Sequence, residues 1–201
     1  MAMGAQEPPA RMPVFFVSYA RNHAQVPIDG KPPVIRLYDD LSSHIGEFVR
    51  LRPGSQPGFV DRQLGGGESW TGELNESIGR CQVFLPLVSA PYTESSWCKD
   101  ELTQFRRRTV TRRQDRLRNH GTAVLPVLWT PLFDDEWPEP LADVERFNVE
   151  MHNAELHRKY SEQGLFMLMH TDRGDYEALV AWLAFRIMQI YSTYHVEEGV
   201  A

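Results

Sequence analysis

A tryptophan and a glutamate four residues apart, Trp97 and Glu101, are the pair in this sequence whose types and spacing best suit chemistry. On a helix, residues four apart lie on one face, one turn from each other. An indole ring can stack on a flat ligand, and a carboxylate can stabilise a positive charge that develops beside it. Taken alone, the pair is better explained as a buried tryptophan and a solvated glutamate, the usual environments of these residue types. The surrounding elements must decide between the two interpretations.

The residues around the pair predict a helix. Ser95 or Ser96 can cap its start, because a serine hydroxyl accepts a hydrogen bond from a free N–H group of the first turn. The helix is predicted to continue through Phe105 into a run of arginines, at positions 106, 107, 108, 112, 113, 116 and 118. We interpret that run as a solvated face with its cations towards the helix C-terminus, although it also suits contact with phosphates or an acidic partner.

Short apolar runs alternate with helical patterns along the chain. Strands are predicted at 14–19, 58–61, 82–88, 122–128 and 165–169, and helices at 34–51, 70–80, 95–118, within 141–160 and at 176–194. This alternation predicts an α/β fold: a flavodoxin-like three-layer sandwich, in which helices cover both faces of a five-stranded parallel sheet. The predicted domain organisation is a disordered tail at 1–12, a single domain at 13–195 and a second tail at 196–201.

Three loops of the predicted sheet should meet at one edge. In such sheets ligands bind at the carboxyl ends of the strands. The loops after the first three strands carry Ser18, the glycines Gly65, Gly66 and Gly67, and the approach to segment 95–101. Successive glycines permit close approach of a ligand, and a flexible connector explains them equally well. They lack the lysine and the serine or threonine that end a phosphate-binding loop.

Composition and spacing exclude several classes of function. The formal net charge of −6 gives no general attraction to nucleic acid or to anionic membranes, and no apolar run is long enough to span a membrane. We therefore expect neither as a partner. Cys81 and Cys98 are not spaced as a metal or redox pair, which is typical of a reduced cytoplasmic protein. His152 and His157 are five residues apart, the wrong spacing for a zinc pair on a helix, so no metal site is predicted.

Taken in order, these features resemble the Toll/interleukin-1 receptor (TIR) domain family. Residues 16–19 resemble its opening box and 61–70 its BB loop. Residues 84–89, followed by Tyr92, Ser95 and the helix with Trp97 and Glu101, resemble its third box. Within the family the sequence is most similar to the actinobacterial TIR-like group called FxsC, a similarity carried by the residues at 59–62, 81–84, 126–129 and 160–165.

The resemblance implies an activity, because many TIR domains cleave NAD between nicotinamide and ribose. The catalytic glutamate of the family falls on Glu101, and the neighbouring tryptophan falls on Trp97. NAD is then the substrate, with no further cofactor. The other residues implied to line the dinucleotide site are Phe16, Ser18, Tyr19, Asp61, Arg62, Gly65, Gly66, Gly67 and Trp70.

Three functions remain open from the sequence. The first is an NAD glycohydrolase that becomes active when protomers assemble through the BB loop. The second is a non-catalytic adaptor that binds other TIR domains through the glycine loop and the arginine-rich helix. The third is a nucleotide sensor that binds without cleaving. In each case the resemblance implies self-association and a separate sensor or effector protein.

Overall fold

The computed structural model describes residues 13–20, 30–51, 54–61, 71–118, 123–132 and 137–199. Strands and helices alternate over most of this length. In chain order the elements are β1 (Phe15–Ser18), α1 (Pro33–Gly46), β2 (Gly58–Val60), α2 (Thr71–Arg80), β3 (Val83–Val88), α3 (Ala90–Glu94), α4 (Ser96–Arg106), β4 (Val110–Arg112), β5 (Val127–Leu128), α5 (Glu139–Ala142), α6 (Ala154–Thr171), α7 (Arg173–Thr193) and β6 (Tyr194–Val196).

A parallel sheet forms the centre of the molecule, with strand order β2-β1-β3-β5. Strand β1 pairs with β2 on one side and with β3 on the other, so that Val17 lies opposite both Val60 and Leu85. Every residue of β1 and β3 is buried, as expected for continuous apolar runs at the centre of a parallel sheet. The predicted α/β fold with a parallel sheet is confirmed.

Helices cover both faces of the sheet. Successive residues of a strand point to opposite faces. Phe15 packs against Tyr38 of α1, with ring centroids 5.8 Å apart, whereas the next residue, Phe16, stacks on Phe84, which in turn stacks on Phe105 of α4. Helices α1 and α7 pack together on the first face, and α2 and α4 on the second. The three-layer arrangement is therefore as predicted.

The predicted fifth strand, 165–169, is wrong: these residues form the second half of α6. The edge of the sheet is satisfied without it, because the N–H of Leu128 in β5 donates to the Tyr160 hydroxyl at 2.7 Å. The N–H of Phe166 then donates to the carbonyl of Trp129 at 2.9 Å. A short apolar run is compatible with a buried strand or a buried helix, so its pattern alone did not distinguish them. In the described ranges the parallel sheet has four strands.

Gly164 makes this arrangement possible. Helix α6 is interrupted at Gly164, whose φ of 70° and ψ of 167° lie outside the helical region and are strained for any residue with a Cβ. A Cβ at this position would lie 2.6 Å from the carbonyl oxygen of Trp129. The glycine thus lets α6 bend against the segment that follows β5, which is where a fifth strand would otherwise lie.

Helix α4 ends earlier than predicted, at Arg106, and the prediction that it continues to residue 118 is wrong. The chain turns and forms β4, which pairs antiparallel with β6 at the end of α7. The β-branched residues Thr109, Val110 and Thr111 favour this extended conformation. The segment 90–94, predicted as a loop, is the short helix α3, whose N-terminus is capped by Ser89.

The structure continues beyond the predicted end of the domain at residue 195. Val196 is buried in β6, and the N–H of Gly199 donates to the carbonyl of Gly79 at 2.9 Å. The predicted tail at 1–12 lies outside the described residues, and the boundaries of the domain stay predictions. No helix within the described part of the chain has the length and apolar character needed to cross a membrane.

Candidate functional site

The helix that carries Trp97 and Glu101 begins as the sequence indicates. The side chain of Ser95 accepts a hydrogen bond from the N–H of Cys98 at 3.3 Å and caps α4. A serine cap satisfies one of the free N–H groups of the first turn. The two residues of interest therefore lie one turn apart at the start of the helix, with Cys98 buried between them.

In the structure the glutamate is buried and the tryptophan is partly exposed, the reverse of what these residue types usually show. Glu101 is only 6% exposed, whereas Trp97 is 38% exposed. The Ser18 hydroxyl donates to Oε2 of Glu101 at 2.5 Å, and the indole Nε1–H of Trp97 donates to Oε1 at 2.7 Å. A carboxylate can be buried when its oxygens are hydrogen-bonded, and here each oxygen has a donor. The carboxylate of Glu101 is thus fixed in position beside a partly exposed indole.

Tyr92 completes the network and was given no role in the sequence analysis. Its hydroxyl lies 3.4 Å from Ser18 Oγ. A serine hydroxyl has one proton, and Ser18 donates it to Glu101, so Tyr92 is the donor in this second bond. Burial, with the nearby Glu101 charge among the smaller causes, raises the pKa of Tyr92 well above 10, so the phenol keeps its proton. The third-box segment contained Tyr92, but its pattern did not indicate a contact with β1.

Phe16, expected to line the dinucleotide site, lies instead in the core beneath it. Its ring stacks on Phe59 and Phe84, with centroids 5.6 and 5.4 Å away. Ser18, two residues further along β1, points to the same face of the sheet. One turn after Glu101, Phe105 stacks on Phe84 at 5.1 Å. The ring stack thus forms a layer that holds α4 at the height where Glu101 reaches Ser18.

Tyr19 and Asp61 join the ends of the first two strands. The Tyr19 hydroxyl donates to the main-chain carbonyl of Asp61 at 2.7 Å, and both residues are buried. Asp61 leads into segment 62–70, so the two residues lie where the predicted loop begins. The remaining expected site residues, Arg62, Gly65, Gly66, Gly67 and Trp70, lie outside the described residues.

The arginine run is divided between surface and interior. Arg106 donates to the carbonyl of Pro140 and forms an ion pair with Asp143 at 3.4 Å. Arg108 is only 8% exposed and donates to the carbonyls of Ile78 at 2.7 Å and Cys81 at 2.6 Å. Two further bonds from Arg108 reach the carbonyls of Val196 and Glu197, at 3.3 and 2.9 Å. Arg108 is therefore not part of a contact surface.

Both cysteines are buried. Burial raises the pKa of Cys81 to about 12, against the smaller lowering effect of Arg108, so this thiol is not a nucleophile near neutral pH. Among the residues that the structure describes, no group of three His, Cys, Asp or Glu side chains is placed to hold a metal ion.

Comparison with known proteins identifies one family. The model of a family described as TIR domain matches residues 15–163 of this chain. That range includes Ser18, Tyr92, Trp97 and Glu101, the four residues of the hydrogen-bond network. No curated protein matches the chain.

Proposed function

The chain belongs to the TIR domain family, and we propose that its Glu101 site hydrolyses NAD at the bond between nicotinamide and ribose. TIR domains act in signalling and defence and generally self-associate. We infer that this activity requires assembly of protomers through the loop at 61–70. The chain then acts in the cytoplasm with a separate sensor or effector protein.

The observation that supports this proposal is the environment of the Glu101 carboxylate. Both oxygens are held by neutral donors, Ser18 and Trp97, in a position that is largely shielded from water. Removing a carboxylate from water is costly, and neutral hydrogen bonds only partly offset that cost. A residue that served packing alone would be more stable there without the charge. Specific hydrogen bonds fix this buried carboxylate beside the carboxyl end of β1, the side of a parallel sheet where ligands bind.

The proposed reaction suits a single carboxylate. The bond between C1′ of the ribose and the ring nitrogen of nicotinamide breaks, and its electron pair goes to that nitrogen, which becomes neutral. Because the leaving group departs uncharged, no general acid is required. Positive charge develops on the ribose, and Glu101 stabilises it or holds the ribose hydroxyls. Water then attacks C1′ and loses a proton, which gives ADP-ribose; attack by the adenine base gives a cyclic isomer instead.

The neighbours of Glu101 have distinct proposed roles. Ser18 holds Oε2, and Trp97 holds Oε1 while offering the exposed part of its ring to a base or to the pyridinium. Tyr19 and Asp61 fix the position at which segment 62–70 begins. Phe16 supports this site from below. The loop residues proposed to line it are Arg62, Gly65, Gly66, Gly67 and Trp70.

An NAD cleavage assay tests the proposal. The protein is incubated with NAD in dilute solution, under crowding and after fusion to an oligomerising partner, and released nicotinamide is measured by chromatography. We expect cleavage that rises with assembly and falls at least about a hundredfold in Glu101→Gln. Asp100→Asn, a neighbouring exposed carboxylate on α4, is the matched control and should retain activity. Equal cleavage by wild type and Glu101→Gln would overturn the assignment.

Two binding measurements separate the remaining functions, the nucleotide sensor and the adaptor. If no nicotinamide is released, calorimetry with NAD and ADP-ribose distinguishes a sensor, which binds them, from an adaptor, which does not. For the adaptor, charge reversal must be confined to Arg107, because Arg108 is buried and its reversal would disrupt the fold. Loss of TIR partner binding in Arg107→Glu together with unchanged binding in Glu101→Gln would favour the adaptor.

We also propose a narrower relationship, to the actinobacterial FxsC group. The segments 59–62, 81–84, 126–129 and 160–165 support it. The structure gives three of these segments visible roles: β2, the turn into β3, and the part of α6 with Tyr160 and Gly164 that satisfies the edge of β5. Members of such a group should share the kinked helix in place of a fifth strand, and a structure of one of them would test this.

A further inference from the structure

A cavity of about 670 Å³ lies at the end of β5, between the segment that follows this strand and α6. Its volume is in the range of sites that bind small molecules. The apolar part of its wall includes Leu128, Leu132 and Phe147. Strand β3 separates β5 from β1, and none of Ser18, Trp97 and Glu101 lines this cavity. It is therefore a different place from the Glu101 site.

Two side chains of α6 bring unused hydrogen-bonding capacity to this cavity. His157 Nδ1 is buried and has no hydrogen-bond partner. Tyr160 accepts a bond from the N–H of Leu128 at 2.7 Å, which leaves its own O–H proton for a second bond. Burial raises the pKa of Tyr160 far above 10, so that proton is retained. A buried polar atom without a partner is uncommon in folded proteins and requires an explanation, such as a ligand or a bound water.

Arg146 adds a positive charge to the wall. Its guanidinium carbon lies 4.2 Å from the centroid of the Trp137 ring, so the group is held over the indole. Within the described ranges, no carboxylate forms an ion pair with Arg146. Of the two acidic residues that line the cavity, Glu162 is bound by Arg158 at 2.8 and 2.9 Å, and Glu150 is exposed. A stacked guanidinium retains in-plane donors that suit a carboxylate or a phosphate.

We propose that this cavity binds a small aromatic anion. The ring of the ligand packs against Phe147 and Leu128, and its carboxylate or phosphate group contacts Arg146. The Tyr160 hydroxyl donates to the ligand, and the His157 ring lies in the wall beside it. Phe147 and Tyr160 already meet edge to face, with centroids 5.6 Å apart at 70°, which leaves a wall suited to a further ring. The proposal does not depend on NAD cleavage.

Calorimetry with three probes tests the site: phenyl phosphate, benzoate and inorganic phosphate, each added to the full chain. We expect an aromatic probe to bind at least about tenfold more tightly than inorganic phosphate, because only the aromatic probes bury apolar surface. The stronger of the two aromatic probes identifies the anionic group. Absence of binding by both aromatic probes at millimolar concentration, or equal binding of inorganic phosphate, would overturn the proposal.

A substitution at Arg146 and the resonance of His157 test whether these two residues contact the bound probe. Arg146→Ala should weaken the aromatic probe at least about tenfold, since it removes the charged contact. The matched control is Arg173→Ala, an exposed arginine of α7 that pairs with Glu177, and it should bind as wild type does. In wild-type protein, the ¹⁵N resonance of His157 Nδ1 should move when the probe is added. An unmoved resonance, or unchanged binding in Arg146→Ala, contradicts the assignment.

Discussion

Two buried charged side chains lie within and just beyond α4, and the protein satisfies them in different ways. Arg108, just beyond the C-terminus of α4, donates to four main-chain carbonyls that belong to α2, to the turn before β3 and to the C-terminal segment. Glu101, midway along α4, accepts hydrogen bonds from the side chains of Ser18 and Trp97. The arginine thus connects separate parts of the backbone, whereas the glutamate is bound by a side chain of β1 and one of its own helix.

This difference indicates what each charge does. A guanidinium whose donors are used by main-chain carbonyls stabilises the fold, because without it buried acceptors such as the Cys81 carbonyl lose a hydrogen bond. In the proposed function, a carboxylate that is held by side chains beside a partly exposed ring is positioned to act on a ligand. Removing Arg108 should therefore reduce stability, and removing the charge of Glu101 should reduce activity with little effect on stability.

The largest effect is expected for Arg108→Met. Methionine preserves much of the side-chain volume but removes the four hydrogen bonds that Arg108 donates to main-chain carbonyls, including the bond to the buried Cys81 carbonyl. We expect the free energy of unfolding to fall by about 3–5 kcal/mol. Urea denaturation measures it, and Arg107→Met, at the exposed neighbouring position, should change stability by less than about 0.5 kcal/mol. Equal stability of the two variants would show that the Arg108 contacts do not stabilise the fold.

Glu101→Gln, in contrast to Arg108→Met, should reduce activity and leave stability nearly unchanged. The glutamine side chain has the same shape, and its amide can donate to Ser18 Oγ while its carbonyl accepts from Trp97, so the free energy of unfolding should stay within about 1 kcal/mol of wild type. Nicotinamide release should fall at least about a hundredfold, which corresponds to about 2.7 kcal/mol in the activation free energy. A variant that unfolds as readily as Arg108→Met would show that Glu101 is structural.

The sequence was sufficient to predict the central strands of the sheet and the start of α4. The apolar runs of β1 and β3 and the cap at Ser95 are local signals, and the structure contains all three. The helical spacing of Trp97 and Glu101 was also local. Local sequence does not determine which of the two side chains is buried, because burial depends on where Ser18 lies across the sheet. The hydrogen bond between residues 18 and 101 joins parts of the chain that no local pattern connects.

Two wrong predictions, a strand at 165–169 and a fully solvated arginine run, have one physical origin: contacts between distant parts of the chain. The run 165–169 is apolar enough for a strand, and only its contact with the segment after β5 makes it a buried helix. Gly164 was the available signal, since a glycine within a helical segment often marks a break in the helix. Arg108 could not be separated from its neighbours by charge, because the carbonyls that bind it come from Ile78, Cys81 and the distant C-terminal segment.

Ser18→Ala tests whether the hydrogen bond from Ser18 positions the Glu101 carboxylate for the reaction. The variant removes the donor to Oε2 but leaves the bond from Trp97, so we expect about a tenfold loss of kcat, or about 1.4 kcal/mol, and a smaller change in KM. Loss of a hydrogen bond to the charged carboxylate favours its protonated form, so the acidic limb of the pH–rate profile should move to higher pH. Ser18→Thr retains the hydroxyl and should restore part of the activity. If KM alone changes, Ser18 contacts the substrate instead.

Tyr92→Phe should have the smallest effect, because the bond to Ser18 is long, at 3.4 Å, and acts on Glu101 only through Ser18. We expect a two- to threefold loss of kcat, about 0.5 kcal/mol.

The Tyr92→Phe variant should also differ from wild type in how its stability depends on alkaline pH. Burial is the main cause that raises the pKa of Tyr92 in the folded state well above 10, so wild-type stability is fully present below pH 10 and decreases as the pH rises above it. Tyr92→Phe lacks this ionisation and should lose less stability than wild type between neutral pH and strong alkali, as measured by urea denaturation at each pH. An unchanged alkaline dependence together with unchanged kcat would remove Tyr92 from the network and leave Ser18 and Trp97 as the two residues that hold the carboxylate.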